Sequence, residues 1–295
     1  MGDDSYKLSS KKHEIVFSYL ERDLLDGTPA SLLPKAVIVA GQPGAGKSAF
    51  ITFAQLEFAP RKAAVINGDE YRDAHPQAKI ILSIDDKLFA ERTDPDVREW
   101  TKRLLASAIK NNRNIIFEGT MRQSKPIMET IVTLKQSGYT VEILAMAVKK
   151  EISELGIMER YEDQKKLYGA GRWTPPSAHE EAYVNMPNTL EQIEINSPVG
   201  RVRVFTRAQE CLYDNRPDVA KELRKPLTAK QAIMKERERP MSNDEQQDLK
   251  KAWERLSNMQ AKRGATGEEI SIVRSKLVEL DKAITGNLKP QGMMR

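Results

Sequence analysis

Residues 41–48, GQPGAGKS, constrain the fold of this chain more than any other segment. They match the pattern G-x-x-x-x-G-K-[ST], in which glycines let backbone N–H groups surround phosphate oxygens. Residues 36–40 form a short apolar run typical of a strand buried in a parallel sheet, and residues 47–58 favour a helix. The positive N-terminal end of that helix would face the anion. The segment therefore predicts a phosphate-binding loop between a strand and a helix.

Each part of this loop has a predicted role in binding ATP and Mg²⁺. The Lys47 amine is expected to reach the β- and γ-phosphates, and the Ser48 hydroxyl to hold Mg²⁺. At the start of a helix, Lys47 is also expected to be a solvent-facing charge. The nucleotide-binding residues are predicted to be Gly41, Gln42, Pro43, Gly44, Ala45, Gly46, Lys47, Ser48 and Ala49.

Strand and helix patterns alternate after the loop, which predicts an α/β fold. Such alternation is typical of a mostly parallel sheet of the P-loop NTPase type, flanked by helices. Further strands are predicted at residues 63–67, 114–119, 141–148 and 201–205. Further helices are predicted at residues 97–111, 125–137 and 152–168, and another opens at residues 174–175.

The two ends of the chain are predicted to be helical. Residues 8–25 favour an amphipathic helix with an apolar stripe of Ile15, Tyr19, Leu20 and Leu24. Residues 226–283 favour two or three charged helices that break at Pro240 and Gly264. The expected division is an N-terminal helix (1–30), a core that contains the P-loop (31–215) and a charged helical C-terminal region (216–295).

Composition and charge limit the expected cellular location of the protein and the classes of its binding partners. Cys211 is the only cysteine and no apolar run reaches the length of a membrane span, so we expect a cytoplasmic protein without membrane contact. Residues 216–295 carry 18 Lys and Arg against 12 Asp and Glu, a net charge of +6. Because acidic and basic residues alternate there, solvated helix faces are favoured over nucleic-acid binding.

Missing motifs narrow the class of P-loop protein. The chain has no N-K-x-D motif of guanine-nucleotide switches, and no apolar run that ends in Asp-Asp or Asp-Glu as in motors and helicases. It also lacks a recognisable nucleic-acid reading module. A kinase that phosphorylates a small hydroxylated molecule is the class that remains.

Seven segments, in order, resemble the zeta toxin family, the kinase half of bacterial toxin–antitoxin pairs. They are GQPGAGKS (41–48), INGDEYRDAHP (66–76), FEGTMR (117–122), GYTVEILAMAV (138–148), MERYE (158–162), GRWTPPSAHEE (171–181) and NMPNTLE (185–191). The resemblance implies ATP-dependent phosphorylation of the 3′-hydroxyl of a UDP-N-acetyl-amino sugar. It also implies a small antitoxin, which we expect to dock on the helix at 8–25.

The resemblance assigns roles to further residues. Asp69 matches the catalytic base, and Arg160 and Arg172 match two lid arginines that stabilise transferring phosphate charge. From the sequence alone, a helix N-cap is the structural alternative for Asp69. For Arg160 the structural alternative is surface ion pairs with its neighbours Glu159 and Glu162.

The segment that follows the third predicted strand matches the acceptor-binding residues of the family. Glu118, Thr120 and Arg122 are expected there, and the fork of donors on Arg122 suits a diphosphate or carboxylate. Glu118 would also suit a place beside Mg²⁺. An ion pair between Glu118 and Arg122 is the structural alternative.

The chain departs from the family at Lys102, which aligns with a glutamate that helps to hold the sugar. An ammonium group donates hydrogen bonds and attracts anions, whereas a carboxylate accepts hydrogen bonds. We therefore expect a changed acceptor preference, unless Lys102 is a solvated helix residue. A nicotinamide dinucleotide or another nucleotide is the alternative acceptor. A non-catalytic ATP-dependent protein with an RNA or protein partner is the alternative class.

Overall fold

The computed structural model describes residues 6–196, 199–216 and 228–287, and the predictions for the remaining positions lie outside these ranges. Within them the chain forms one six-stranded sheet in the order β2-β3-β1-β4-β5-β6. The strands β1 to β5 pair in parallel, and β6 pairs antiparallel to β5. The strand bounds are β1 Lys35–Ala40, β2 Ala64–Ile66, β3 Ile115–Gly119, β4 Thr140–Met146, β5 Arg201–Phe205 and β6 Cys211–Asp214.

Helices cover both faces of the sheet. In chain order they are α1 Ser10–Leu25, α2 Lys47–Leu56, α3 Gly68–Tyr71, α4 Ala78–Ile84, α5 Phe89–Lys110, α6 Ser124–Gln136, α7 Lys150–Tyr168, α8 Pro176–Asn196, α9 Ala229–Glu238, α10 Asn243–Arg263 and α11 Gly267–Asn287. The predicted α/β class with a mostly parallel sheet is confirmed. None of the helices in the described ranges combines the length and the hydrophobicity needed to cross a membrane.

The central strand β1 shows why the apolar run at residues 36–40 has no polar alternation. Ala36, Ile38 and Ala40 face one hydrophobic cluster, and Val37 and Val39 face a second cluster on the opposite side of the sheet. All five are fully buried. A strand covered on both faces needs apolar residues at every position.

Three local expectations differ from the structure. In α1, Phe17 and Leu24 are the buried residues, whereas Ile15 and Tyr19 of the predicted stripe are exposed. The helix α5 begins eight residues before its predicted start and includes Pro95. The strand β6 and the short helices α3 and α4 were not predicted, because four to seven residues carry too little periodicity.

The C-terminal helices pack on the rest of the chain. Ala229, Ala232 and Ile233 of α9 belong to the large cluster on one face of the sheet. Trp253 of α10 and Val273 of α11 pack with Leu155 and Met158 of α7. The predicted breaks at Pro240 and Gly264 fall between these helices. The division into three parts stays a prediction, since α9 shares its core with the sheet.

Candidate active site

The phosphate-binding loop leaves the end of β1 in a conformation that requires glycine. Gly44 and Gly46 have φ values of +76° and +95°, in the left-handed region that favours glycine. A Cβ on Gly44 would also lie 1.9 Å from the carbonyl oxygen of Ser153 in α7. The loop therefore needs Gly44 for its own turn and for its contact with α7.

Lys47 and Glu118 form an ion pair in the P-loop cleft, a cavity beside this loop that is also lined by Ser48, Asp69 and Arg160. The Lys47 Nζ lies 3.4 Å from Glu118 Oε1 and donates to the Gln42 carbonyl oxygen at 3.3 Å. Only 9% of Lys47 is exposed, so the expectation of a solvent-facing charge was wrong. Burial raises the pKa of Glu118, although the Lys47 charge opposes this effect. Glu118 pairs with Lys47 and not with Arg122, the alternative considered from sequence.

The side chain of Gln42 faces away from the cleft. It is fully buried, and its Nε2 donates to the Val148 carbonyl oxygen at 2.9 Å and lies 3.2 Å from Ser153 Oγ. Ser153 Oγ also lies 2.8 Å from His179 Nε2. Gln42 thus has only its backbone to offer a nucleotide, and its side chain fixes the loop to the segment after β4 and to α7.

Asp69 lies in α3, shortly after the carboxyl end of β2, and lines the same cleft. The Asn67 side chain accepts from the Asp69 N–H at 3.0 Å and caps α3, so Asp69 is not the N-cap considered from sequence. Enclosure in the cleft disfavours the ionised form of Asp69 and by itself raises its pKa. The net pKa is nevertheless lowered, because four positive charges lie nearby, those of Arg72, Arg160, Lys47 and Arg172. Its side chain is still 52% exposed. Asp69 is therefore an accessible, ionised carboxylate among cations.

Arg160 and Arg172 line this cleft from α7 and from the segment after it. Arg160 Nη2 donates to Thr174 Oγ1 at 2.7 Å, and Arg172 Nη1 donates to the Asp69 carbonyl oxygen at 2.6 Å. Burial lowers the pKa of Arg160, and the Asp69 charge partly compensates. Arg160 bonds neither to Glu159 nor to Glu162, so the surface ion pairs considered from sequence do not form.

A polar network holds the segment that carries Arg172. The Gly171 N–H donates to Asp86 Oδ2 at 2.9 Å, and the Tyr161 hydroxyl lies 3.1 Å from both Asp86 Oδ1 and Glu269 Oε1. Glu269 belongs to α11 and also pairs with Arg263 at the end of α10. The C-terminal helices are thereby connected to the cleft.

The segment that follows β3 forms another wall of the P-loop cleft. Thr120 and Arg122 line the cleft on either side of Met121, whose φ of +50° is rare for a residue with a side chain. The Thr189 hydroxyl donates to the Met121 carbonyl oxygen at 3.0 Å and supports this turn. Arg122 Nε lies 3.4 Å from Glu181 of α8. Strained backbone of this kind is common at functional sites.

The cleft continues into a second chamber beside α5. The P-loop cleft has a volume of about 720 Å³, and the chamber has about 500 Å³. Both are lined by Asp69, Glu118, Thr120 and Arg122. Lys102 is exposed and lines only the chamber. A larger cavity of about 990 Å³ beside α4 shares Arg172 with the cleft but has no part of the phosphate-binding loop.

Sequence reasoning missed three arginines of the cleft, namely Arg72, Arg98 and Arg207. Arg72 lies 3.3 Å from Asp69 and 3.0 Å from Asp94, and its spacing of three residues from Asp69 in a short helix was the only local signal. Arg207, between β5 and β6, lies beside Gly46 of the loop. Its position depends on the unpredicted hairpin, so no sequence signal could have found it.

Comparison with known proteins finds one family that matches most of the chain. The family model "Zeta toxin" matches residues 21–218. Toxin zeta of Enterococcus hirae is 28% identical over 214 residues, which cover 69% of this chain and 73% of that protein. Toxin PezT of Streptococcus pneumoniae is 28% identical over 215 residues, covering 72% of this chain and 83% of that protein.

Solved structures share the fold. A chain from the PezAT chromosomal toxin–antitoxin system of Streptococcus pneumoniae has a TM-score of 0.74 at 22% identity, covering 86% of this chain and 98% of that chain. A chain from the AvrRxo1-ORF1:-ORF2 structure with ATP has a TM-score of 0.60 at 13% identity, covering 90% and 88% of the two chains.

Proposed function

Since the chain belongs to the zeta toxin family, we propose that it is an ATP-dependent kinase that phosphorylates a hydroxyl group of a nucleotide sugar. The observation that carries this proposal is the cleft itself. One cavity is lined by Lys47 and Ser48 of the phosphate-binding loop, by the accessible carboxylate of Asp69, and by Arg160 and Arg172. A donor site, a base and charge-stabilising groups are the parts that phosphoryl transfer needs.

The donor side comprises the loop and the first turn of α2. Backbone N–H groups of the loop and the N-terminus of α2 would bind the phosphates of ATP. Lys47 would leave Glu118 for the β- and γ-phosphates. Ser48 is exposed at the cleft, and its hydroxyl suits Mg²⁺, which prefers oxygen ligands and keeps phosphate oxygens and water in its shell. Bound Mg²⁺ would neutralise phosphate charge.

Asp69 is the proposed base. Its ionised carboxylate would accept the proton of the acceptor hydroxyl, while Arg172, bonded to the Asp69 carbonyl oxygen, stays within reach of the same region. Arg160 and Arg172 would stabilise charge on the equatorial oxygens of the transferring phosphoryl group. The lowered pKa of Asp69 is compatible with this role, because the loose transition state relies mainly on positioning.

The second chamber is the proposed acceptor site. Glu118, Thr120 and Arg122 connect it to the cleft, and Lys102 is an ammonium group on its wall. Lys102 favours an acceptor with a negative group at this position over one that needs a carboxylate partner. A UDP-N-acetyl-amino sugar is the first acceptor to test, and other nucleotides, including nicotinamide dinucleotides, follow.

A small antitoxin is the proposed partner, and α1 is its proposed docking element. Ile15 and Tyr19 are exposed on α1, while Trp100 Nε1 of α5 donates to the His13 carbonyl oxygen and holds the other side of this helix. An apolar exposed face on a helix that is already anchored suits a helical partner.

Incubation with ATP, Mg²⁺ and a metabolite extract tests the proposal. Mass spectrometry should find a metabolite heavier by one phosphate, and the Asp69→Asn variant should form this product far more slowly. An Asp73→Asn variant is the matched control, because Asp73 is exposed and lies outside the cleft. The absence of a phosphorylated metabolite, with ATP consumption that no metabolite accelerates, would support the alternative of an ATP-dependent binding protein that is not a kinase.

A further inference from the structure

The helix α9 ends against the back of the phosphate-binding loop. Lys149, the residue before α7, is buried and donates from Nζ to the carbonyl oxygens of Glu236 at 2.9 Å and Arg237 at 3.0 Å, and also to that of Arg239. These carbonyls lie at the C-terminal end of α9, where no intrahelical N–H reaches them. Lys149 therefore fixes the end of α9 beside the start of α7.

This arrangement brings Arg237 to the loop. Arg237 Nη2 donates to Gln42 Oε1 at 3.0 Å, and its Nη1 donates to the Tyr183 carbonyl oxygen at 2.6 Å. The guanidinium carbon lies 3.8 Å from the centroid of the Tyr183 ring. A side chain of the C-terminal region is thus bonded to the second residue of the phosphate-binding loop. It lies outside the matched family segment, which ends at residue 218.

The charge of Arg237 has no acidic counterpart in the described ranges. Only 9% of the residue is exposed, and no described carboxylate oxygen lies within 4 Å of its nitrogen atoms. Burial lowers the pKa of Arg237 to about 10, so it is still a cation at neutral pH. Arg239, two residues further, pairs with both Glu236 and Glu245 at the surface. A buried cation without a counterion costs free energy.

We propose that Arg237 contributes its charge to the nucleotide site, because this unpaired charge behind the loop is balanced by the triphosphate when ATP binds. The Gln42 side chain, buried between Arg237 and the loop, leaves little water to screen this interaction. The inference rests on the proposed ATP-dependent function. The competing explanation is that Arg237 merely anchors Gln42 through its hydrogen bonds.

Calorimetric titration with ATP and with ADP, each with equal magnesium chloride, separates charge from anchoring. Arg237→Met removes the charge and the hydrogen bonds, whereas Arg237→Lys keeps the charge and loses the guanidinium fork. We expect the Met variant to lose affinity for ATP by about tenfold and for ADP by less, because the effect scales with phosphate charge. The Lys variant should retain most of the affinity, and the surface control Arg239→Met should bind like the native chain.

Equal losses for ATP and ADP, equal losses in the Met and Lys variants, or no loss at all would each overturn the inference. If Arg237→Met does not fold, Arg237→Gln, which keeps a donor for Gln42, replaces it in the same comparison. Failure of the native chain to bind ATP would refute the proposed function. Native binding of ATP with unchanged binding in the Met variant would refute only the role of Arg237.

Discussion

Replacement of Asp69 by Asn distinguishes a base from a ligand of the nucleotide or metal. Asn has nearly the same shape, and its side-chain oxygen can still accept from Arg72, which in addition remains bound to Asp94. The substitution removes one negative charge from a cleft that holds Lys47, Arg72, Arg160 and Arg172. The cleft becomes more positive, so ATP binding should be unchanged or tighter.

The rate of phosphoryl transfer should fall in the same Asp69→Asn variant. An amide cannot accept the proton of the acceptor hydroxyl, and loss of a general base typically lowers turnover by about 10²–10⁴. This factor corresponds to about 3–5 kcal/mol in the activation free energy. Because the surrounding cations lower the pKa of Asp69, the native enzyme should retain an ionised base throughout the neutral range.

The assay combines ATP titration by calorimetry with single-turnover transfer to an identified acceptor. The Asp73→Asn control removes the same charge from the neighbouring surface without entering the cleft. If ATP affinity and turnover fell by the same factor in Asp69→Asn, Asp69 would be a metal or structural residue. If turnover persisted, the assignment of the base would be refuted.

Three further predictions concern other parts of the molecule. Lys47→Ala should reduce turnover by about 10³ or more, measured by single-turnover transfer, because a charge on the transferring phosphate loses its partner and Glu118 loses its counterion. Lys102→Glu should lower KM for a UDP-N-acetyl-amino sugar if Lys102 disfavours that acceptor; unchanged kinetics would place Lys102 outside the acceptor site. Glu269→Gln should reduce the free energy of unfolding by about 3 kcal/mol at pH 7. Burial opposes ionisation of Glu269, but bonds from Arg263 and Thr266 lower its pKa to about 2, so the native advantage should be complete above about pH 4.5 and disappear as the pH falls towards 2. Denaturant titration measures it, with the exposed Glu268→Gln as control; a difference independent of pH would refute this ion-pair explanation.

Local features of the sequence were sufficient to predict the fold class and the phosphate-binding loop. The loop motif specifies its own backbone, since Gly44 and Gly46 adopt conformations that favour glycine. The uninterrupted apolar run of β1 required cover on both faces of the sheet, and Pro240 and Gly264 marked the ends of helices. The residues that were expected at the strand ends, among them Asp69 and Glu118, meet because parallel strands end at one edge of the sheet.

The resemblance to a family contributed roles that periodicity and spacing did not. Asp69 would have suited a helix cap, and Arg160 a surface ion pair, and only the folded chain separates these alternatives. Asn67 takes the capping position, and Thr174 takes the hydrogen bond of Arg160. Each outcome depends on a neighbour whose side-chain direction the local pattern does not specify.

Tertiary structure alone decided the pairing of charges and the contacts between distant segments. Lys47 and Glu118 are 71 positions apart, and Gln42 and Arg237 are 195 positions apart. Short elements such as β6 gain their stability from a neighbouring strand, so their own four residues carry no reliable signal. A sequence records which groups can ionise or form hydrogen bonds, whereas burial, partner and pKa depend on where the whole chain brings those groups.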